Sequence, residues 1–253
     1  MPYCIDFNKQ SKIVSRIIRG VQTVTQLQTT PTINFFNTVV IGKFNPAILS
    51  SNFLLKNCGL DLGPLVRESR SDPNFVSEIV YQSCTWFMDW QRFQVQEEGL
   101  NRLEDFSSPE YVRQYLRVLP YTPITMAGIN VNISYIHQDS LIFWKKLSDL
   151  NTIMKVVSNH GAGSCEVTYG NIISVSRGPK LTSVFIVFKT QEEAKIQLGI
   201  TASTKLDQFI AHYNWEIGNI DKNPERLDFL VDNRQHIVNI LPRLVEAFMG
   251  EDT

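Results

Sequence analysis

The sequence predicts an α+β protein with a ferredoxin-like (βαββαβ) N-terminal half, followed by a four-stranded antiparallel meander flanked by helices. Three observations carry this expectation. Residues 111–137, YVRQYLRVLPYTPITMAGINVNISYIH, switch from a helical to a strand period across two prolines. Residues 37–136 as a whole read strand–helix–strand–strand–helix–strand, an order in which two right-handed crossovers lay both helices on one sheet face. Beyond residue 138, four β-prone runs with short connections lie between two helical patterns. The expected divisions are a basic arm or connector over 1–36, a ferredoxin-like domain over 37–137 and a helix–sheet–helix domain over 138–253.

In the arm, Ile13, Ile17, Val21 and Val24 recur at helical spacing, and Lys9, Lys12, Arg16 and Arg19 form a second stripe on another face. The Thr- and Gln-rich text that follows disfavours helix. Residues 37–44 (NTVVIGKF) are β-branched and read as a buried strand. Pro46 opens a helical pattern through Ile48, Phe53 and Leu54, which Gly59 stops. Residues 60–74 carry Gly, Pro and charge, and read as an exposed loop. Strands are expected over 76–85 and 90–98, with Phe87, Met88 and Asp89 as the hairpin turn.

Ser107 or Ser108 caps the next helix, whose first turn holds Pro109 and Glu110. Val112, Leu116 and Leu119 form its apolar face, and Pro120 and Pro123 end it. Ile129, Val131, Ile133 and Tyr135 then alternate with Asn130, Asn132 and Ser134, a strand with one polar face. Gly128 within it marks a bulge or a close backbone approach. That polar face is either wet or pairs with the neighbouring half.

A long helix follows from Asp139 or Ser140 through Leu141, Trp144, Leu147, Leu150, Met154 and Val157. Strand-like runs cover 165–175, 183–189, 194–202 and 209–217. Asn223 and Pro224 start a last helix that Pro242 kinks. No internal sequence repeat is legible.

Two segments, LRVLPYTPITMAGINVNI (116–133) and HYNWEIGN (212–219), resemble a sporadically distributed family of uncharacterised bacterial proteins. The resemblance implies a bacterial or phage origin and a layout of two sheets with a C-terminal helix. It brings no catalytic residues, and the sporadic distribution implies a setting in mobile or defence-associated loci.

Composition narrows the function. With 24 Lys and Arg against 25 Asp and Glu, the net charge is −1, so the chain lacks the basic surplus that releases counterions from a phosphate backbone. The longest apolar run, 184–188, is far short of a membrane helix. The start, MPYCIDFNKQ, lacks the charged-then-apolar order of a signal peptide, so a cytoplasmic protein with reduced Cys4, Cys58, Cys84 and Cys165 is expected.

The best enzyme candidate is the loop at His160, Gly161, Gly163 and Cys165. Its glycines could offer N–H groups to an anion, with Cys165 as nucleophile and His160 as base. A strand rather than a helix follows it, and a Gly-rich helix-to-strand connector needs no catalytic reason. His137, His212 and His236 have no metal-ligand spacing. Asp89 and Glu97 could meet across a hairpin as a carboxylate pair, though surface acids at strand ends are the commoner case. The cluster Trp86, Phe87, Trp90, Phe93 and Arg92 suits either core packing or base stacking.

The basic stripe Lys9, Lys12, Arg16 and Arg19 reads as a solvated helix face or as a docking arm. No cofactor is implied. The leading expectation is a non-catalytic cytoplasmic binding or assembly protein whose partner is another protein or copies of itself, with an accessory role in a bacterial defence or mobile-element system. Single-stranded nucleic-acid binding and an unrecognised hydrolase or nuclease stand as the alternatives.

Overall fold

The computed structural model describes residues 31–72, 75–136, 140–158, 165–169, 172–175, 178–181, 183–189, 194–202, 208–221, 225–232, 234–235, 243 and 245. The basic stripe, His137, His160, Gly161, Gly163, His236 and Pro242 lie outside them, as does Cys4. Strand β1 (Thr32–Gly42) leads through a 3-10 turn at Pro46–Ile48 to α1 (Ser51–Lys56). Then come β2 (Leu65–Asp72), β3 (Val76–Tyr81), β4 (Cys84–Asp89), β5 (Arg92–Glu98) and α2 (Ser108–Val118). The second half repeats the plan with β6 (Ile124–Ile136), α3 (Ser140–Ser148), α4 (Leu150–Ser158) and β7 (Cys165–Tyr169). A hairpin of β8 (Ile172–Val175) and β9 (Gly178–Leu181) precedes β10 (Ser183–Lys189), β11 (Lys195–Ala202), β12 (Gln208–Gly218) and α5 (Glu225–Asp232).

Ten of these strands form one antiparallel sheet in the order β2-β3-β4-β5-β1-β6-β12-β11-β10-β7. The protein is therefore α+β, but its one sheet has ten strands where a four-stranded sheet was expected in each half, and the ferredoxin-like arrangement is not what the first half forms. Two sequence features explain the difference. Residues 76–85 are not one strand: Gln82 and Ser83 turn the chain between β3 and β4. Residues 60–74 are not all loop: LVRESRSD forms β2, an edge strand that needs little apolar sequence because its outer side has no neighbouring strand among the described residues. The link between halves is β6, which pairs with β1 on one side and with β12 on the other.

The two halves share a topology that no sequence repeat announces. In each, a long central strand crosses by way of helix to the far edge of its half, and the chain meanders back until the last strand pairs with the first. A helix then follows, α2 after β5 and α5 after β12.

The turns follow local chemistry. Between β4 and β5 the Asp89 carboxylate accepts from the backbone N–H of Gln91 (2.8 Å) and Arg92 (2.7 Å), so the turn lies one step past the predicted Phe87–Asp89. The predicted long helix is split at Asp149, whose carboxylate accepts from Asn151 N, Thr152 N and Thr152 Oγ1 and so starts α4 as a separate helix. Gly128 is a close approach rather than a bulge, since a Cβ there would stand 2.9 Å from the Trp215 carbonyl oxygen of β12.

The helices rest on one face of the sheet. Tyr115 of α2 packs 4.7 Å from Phe93, Phe53 of α1 meets Tyr115 at 5.6 Å, and Phe143 of α3 stacks on Phe209 at 4.3 Å. Helix α5 lies against α2, β12 and β6, and Arg113 of α2 pairs with its Asp232 at 2.7 Å. Beneath these helices Phe36, Trp86, Phe93, Val95, Ile129, Val131, Tyr213 and Trp215 are buried. Strand alternation sends every second side chain to the opposite face.

Candidate functional site: the carboxamide face

No helix of the described residues packs on that opposite face. Its side chains follow from the strand registers. Across β5, β1, β6, β12 and β11, directly paired positions are Gln96, Asn37, Asn130, Asn214 and Gln197, an unbroken row of five carboxamides. At the usual strand spacing of about 4.8 Å the row is about 19 Å long. On one side of it lies the row Glu98, Phe35, Asn132, His212, Gly199 and Phe185; on the other lies Gln94, Val39, Gly128, Glu216 and Lys195.

Several of these carboxamides are hydrogen-bonded. Asn130 Nδ2 donates to Asn37 Oδ1 at 2.8 Å, and Gln94 Nε2 to Gln96 Oε1 at 3.2 Å. Gln96 Nε2 in turn donates to Glu98 Oε1 at 2.6 Å. Asn34, at an irregularity of β1, donates to Asn132 Oδ1 (2.5 Å) and Ser134 Oγ (2.9 Å). Asn214 Oδ1 is buried and finds no hydrogen-bond partner among the described residues. A Cβ on Gly128 would stand 3.7 Å from it, so the glycine makes room for this carboxamide. Phe185 is 47% exposed and its ring covers Gly199, where a Cβ would come within 3.0 Å of it. His212 faces Phe35 at 6.1 Å, and desolvation there lowers its pKa below the ordinary imidazole value. By register the described residues of the face carry acids (Glu78, Glu98, Glu166, Glu216) as well as bases (Arg67, which pairs with Glu78, Arg92 and Lys195), so they show no cationic surplus.

Of the glycine-rich loop only Cys165 lies among the described residues; His160, Gly161 and Gly163 lie outside them. Cys165 starts β7, half-buried, with its thiol pKa raised by burial, the reverse of an activated nucleophile. Cys84 is buried and its thiol is pushed up by desolvation. Asp89 and Glu97 do not form a pair: Glu97 lies opposite Cys84, at the far end of the β4–β5 hairpin from the Asp89 turn. Glu97 points to the helix side instead, where its carboxylate accepts from the backbone N–H of Ser107 (3.0 Å) and Ser108 (2.7 Å). It thereby caps α2, a role expected of Ser107 or Ser108, while Ser108 Oγ bonds Thr38 Oγ1 at 2.9 Å. Burial raises the Glu97 pKa despite those donors.

The aromatic cluster divides. Trp86 and Phe93 are core, Phe87 lies on the open face beneath the Arg92 guanidinium (4.7 Å), and Trp90 meets Phe75 edge-on beside the turn. No group of three or more His, Cys, Asp or Glu suited to a metal occurs among the described residues, and no helix among them is long and apolar enough to cross a membrane. Sequence reasoning identified the polar alternation of β6 but missed the row, because its five members come from five strands and only the register aligns them. Searches against protein-family models and curated proteins return no match.

Proposed function

We propose that the chain is a non-catalytic binding or assembly protein that docks a protein partner on the carboxamide face. The row of five carboxamides across β5, β1, β6, β12 and β11 carries the reading. Asn is a poor strand former, and strands favour Val, Ile or Thr. Five carboxamides aligned on the face that no described helix covers serve recognition better than they serve folding. Each carboxamide offers two donors and an acceptor, suited to uncharged polar groups such as peptide amides. The balanced charge of the face disfavours a phosphate backbone. A cytoplasmic setting is part of this proposal, and the accessory role in a defence or mobile-element system enters it through the bacterial resemblance.

Amine-reactive cross-linking of the tagged protein in cells, read by mass spectrometry, tests the reading. Lys195 lies on the open face, whereas Lys56, Lys145 and Lys155 belong to the helices. Intermolecular links through Lys195 are expected, and links through the helical lysines alone would overturn the assignment. Binding of a single-stranded oligonucleotide is expected to be absent at ~50 mM salt, where electrostatic binding is strong. A salt-dependent complex would transfer the face to the nucleic-acid reading.

A further inference from the structure

We infer that the occupant of the carboxamide face is a second copy of the same chain, docked face to face about a two-fold axis that runs along the carboxamide row. This rests on the reading of that face as a protein-docking surface.

Three observations choose the occupant. The first is period. The row repeats at the spacing of strands, about 4.8 Å, over four steps, and a partner that stays in register with it is itself a sheet. The second is chemistry. A carboxamide both donates and accepts, so the half-buried Gln96, Asn130, Asn214 and Gln197 can each meet its own copy without an unpaired like group, while the buried Asn37 holds Asn130 from behind. A row of carboxylates or ammonium groups would repel itself.

The third is the pattern of the flanking rows. A two-fold along the central row exchanges one flanking row for the other, strand by strand. His212 of β12 then faces Glu216 of the other copy, and Phe35 of β1 faces Val39. Glu98 of β5 faces Gln94, an acceptor against a donor. On β6, Asn132 faces Gly128, and on β11, Lys195 faces Gly199, so the two glycines lie opposite the two long or branched polar chains. No position in these five strands meets a like charge. The size also fits. A face of ten strands, each contributing about six residues, presents on the order of 1,000 Å² at normal strand dimensions. A standard interface buries about 800 Å² on each partner. Isologous contact of this kind closes on itself and stops at two chains.

The axis makes a sharp test, because residues on it meet themselves. In the full-length chain, Asn130→Asp and Asn130→Lys each place like charges against each other, and each is expected to run at the monomer mass in native mass spectrometry at a concentration where the wild type is a dimer. An equimolar mixture of the two is expected to recover the dimer mass as a heterodimer. Asn214→Asp with Asn214→Lys is expected to behave the same way. Thermal unfolding of each variant reports whether it has kept its fold, and a variant that has not is replaced by Asn130→Glu or Asn130→Arg. A monomeric wild type, or charge variants that stay dimeric, would overturn the second copy as occupant. Recovery at Asn130 without recovery at Asn214 would overturn the axis. A monomeric wild type whose Lys195 still cross-links to a different protein sinks this inference and leaves the docking face standing.

Discussion

One sheet carries two faces that answer to different demands. On the helix side, Trp86, Phe93, Tyr115, Ile129 and Tyr213 interdigitate with almost no exposed surface. Glu97, Ser108 and Thr38 are hydrogen-bonded there, whereas the Trp86 and Trp215 indole N–H groups find no acceptor among the described residues. On the other side the same strands carry Asn, Gln, Glu and Lys, with Asn130 bonded to Asn37 and Gln94 to Gln96, and without a covering layer among the described residues. An antiparallel sheet needs only one buried face to be stable, so its second face is free to be selected for contact. The contrast separates what holds the molecule together from what it offers to others. Substitutions on the two faces should therefore move different measurements.

The largest effect is expected on the covered face. Trp86 is fully buried between Phe93, Tyr111 and Tyr115. Trp86→Ala removes those contacts and opens a cavity in a site bounded by rigid rings. A loss of about 4 kcal/mol in denaturant unfolding is expected. A loss below about 1 kcal/mol would mean that this face does not carry the fold.

Next comes the buried carboxylate that joins sheet to helix. Glu97→Ala leaves the Ser107 and Ser108 N–H groups without their acceptor, at an expected cost of about 3 kcal/mol. Its pH dependence has a definite sign. Burial raises the folded-state pKa, so the folded protein holds the proton more tightly than the unfolded chain. The stability Glu97 contributes is full below its unfolded pKa and is lost as pH rises through the higher folded value. The advantage of the wild type over Glu97→Gln should thus shrink as pH rises from about 4 through that window, near the unfolded glutamate value and above it. A difference that is flat or grows with pH would contradict the burial argument.

The two faces were unequally legible in the sequence. Alternation along β6 and β12, the prolines that stop α2 and the apolar period of α2 are local, and they place most of the covered face correctly. Strand β2 was not legible because LVRESRSD shows no buried alternation, which an edge strand does not need. The β3–β4 turn at Gln82–Ser83 lacks Gly, Pro and Asn, so the hairpin read as a single strand. Continuity of the sheet depends on β6 choosing β12, a partner some eighty residues away, and no local pattern encodes that choice. The carboxamide row inherits the same obscurity. Asn130, Asn132 and Asn214 are visible one by one, but the row exists only after five strands find their registers.

The sheet centre offers a prediction between the two faces. Gly128 faces outward, yet a Cβ there would meet the Trp215 carbonyl oxygen at 2.9 Å. That oxygen is backbone in the neighbouring strand and cannot move without disturbing the β6–β12 ladder that joins the halves. Gly128→Ala is expected to cost about 2 kcal/mol. Faster hydrogen exchange concentrated at β6 and β12 would accompany it, and exchange unchanged there would show that the ladder tolerates the methyl group.

The smallest expected effect on stability tests the contrast most directly. Asn37 is 7% exposed and accepts from Asn130, so changing either alone leaves the other's carboxamide with an unmet partner. Changing both to Val removes donor and acceptor together, and a matched apolar replacement of that kind is close to neutral. Valine also gains in strand propensity at both positions. The double variant Asn37→Val/Asn130→Val should therefore unfold within about 1 kcal/mol of the wild type, and a gain in stability is as consistent as no change. Docking should respond in the opposite way, because the centre of the carboxamide row has lost its hydrogen-bonding groups. A variant that folds as well as the wild type but no longer assembles separates the two faces. One that loses several kcal/mol would make the carboxamides part of the fold, and the open face would lose its claim to a separate purpose.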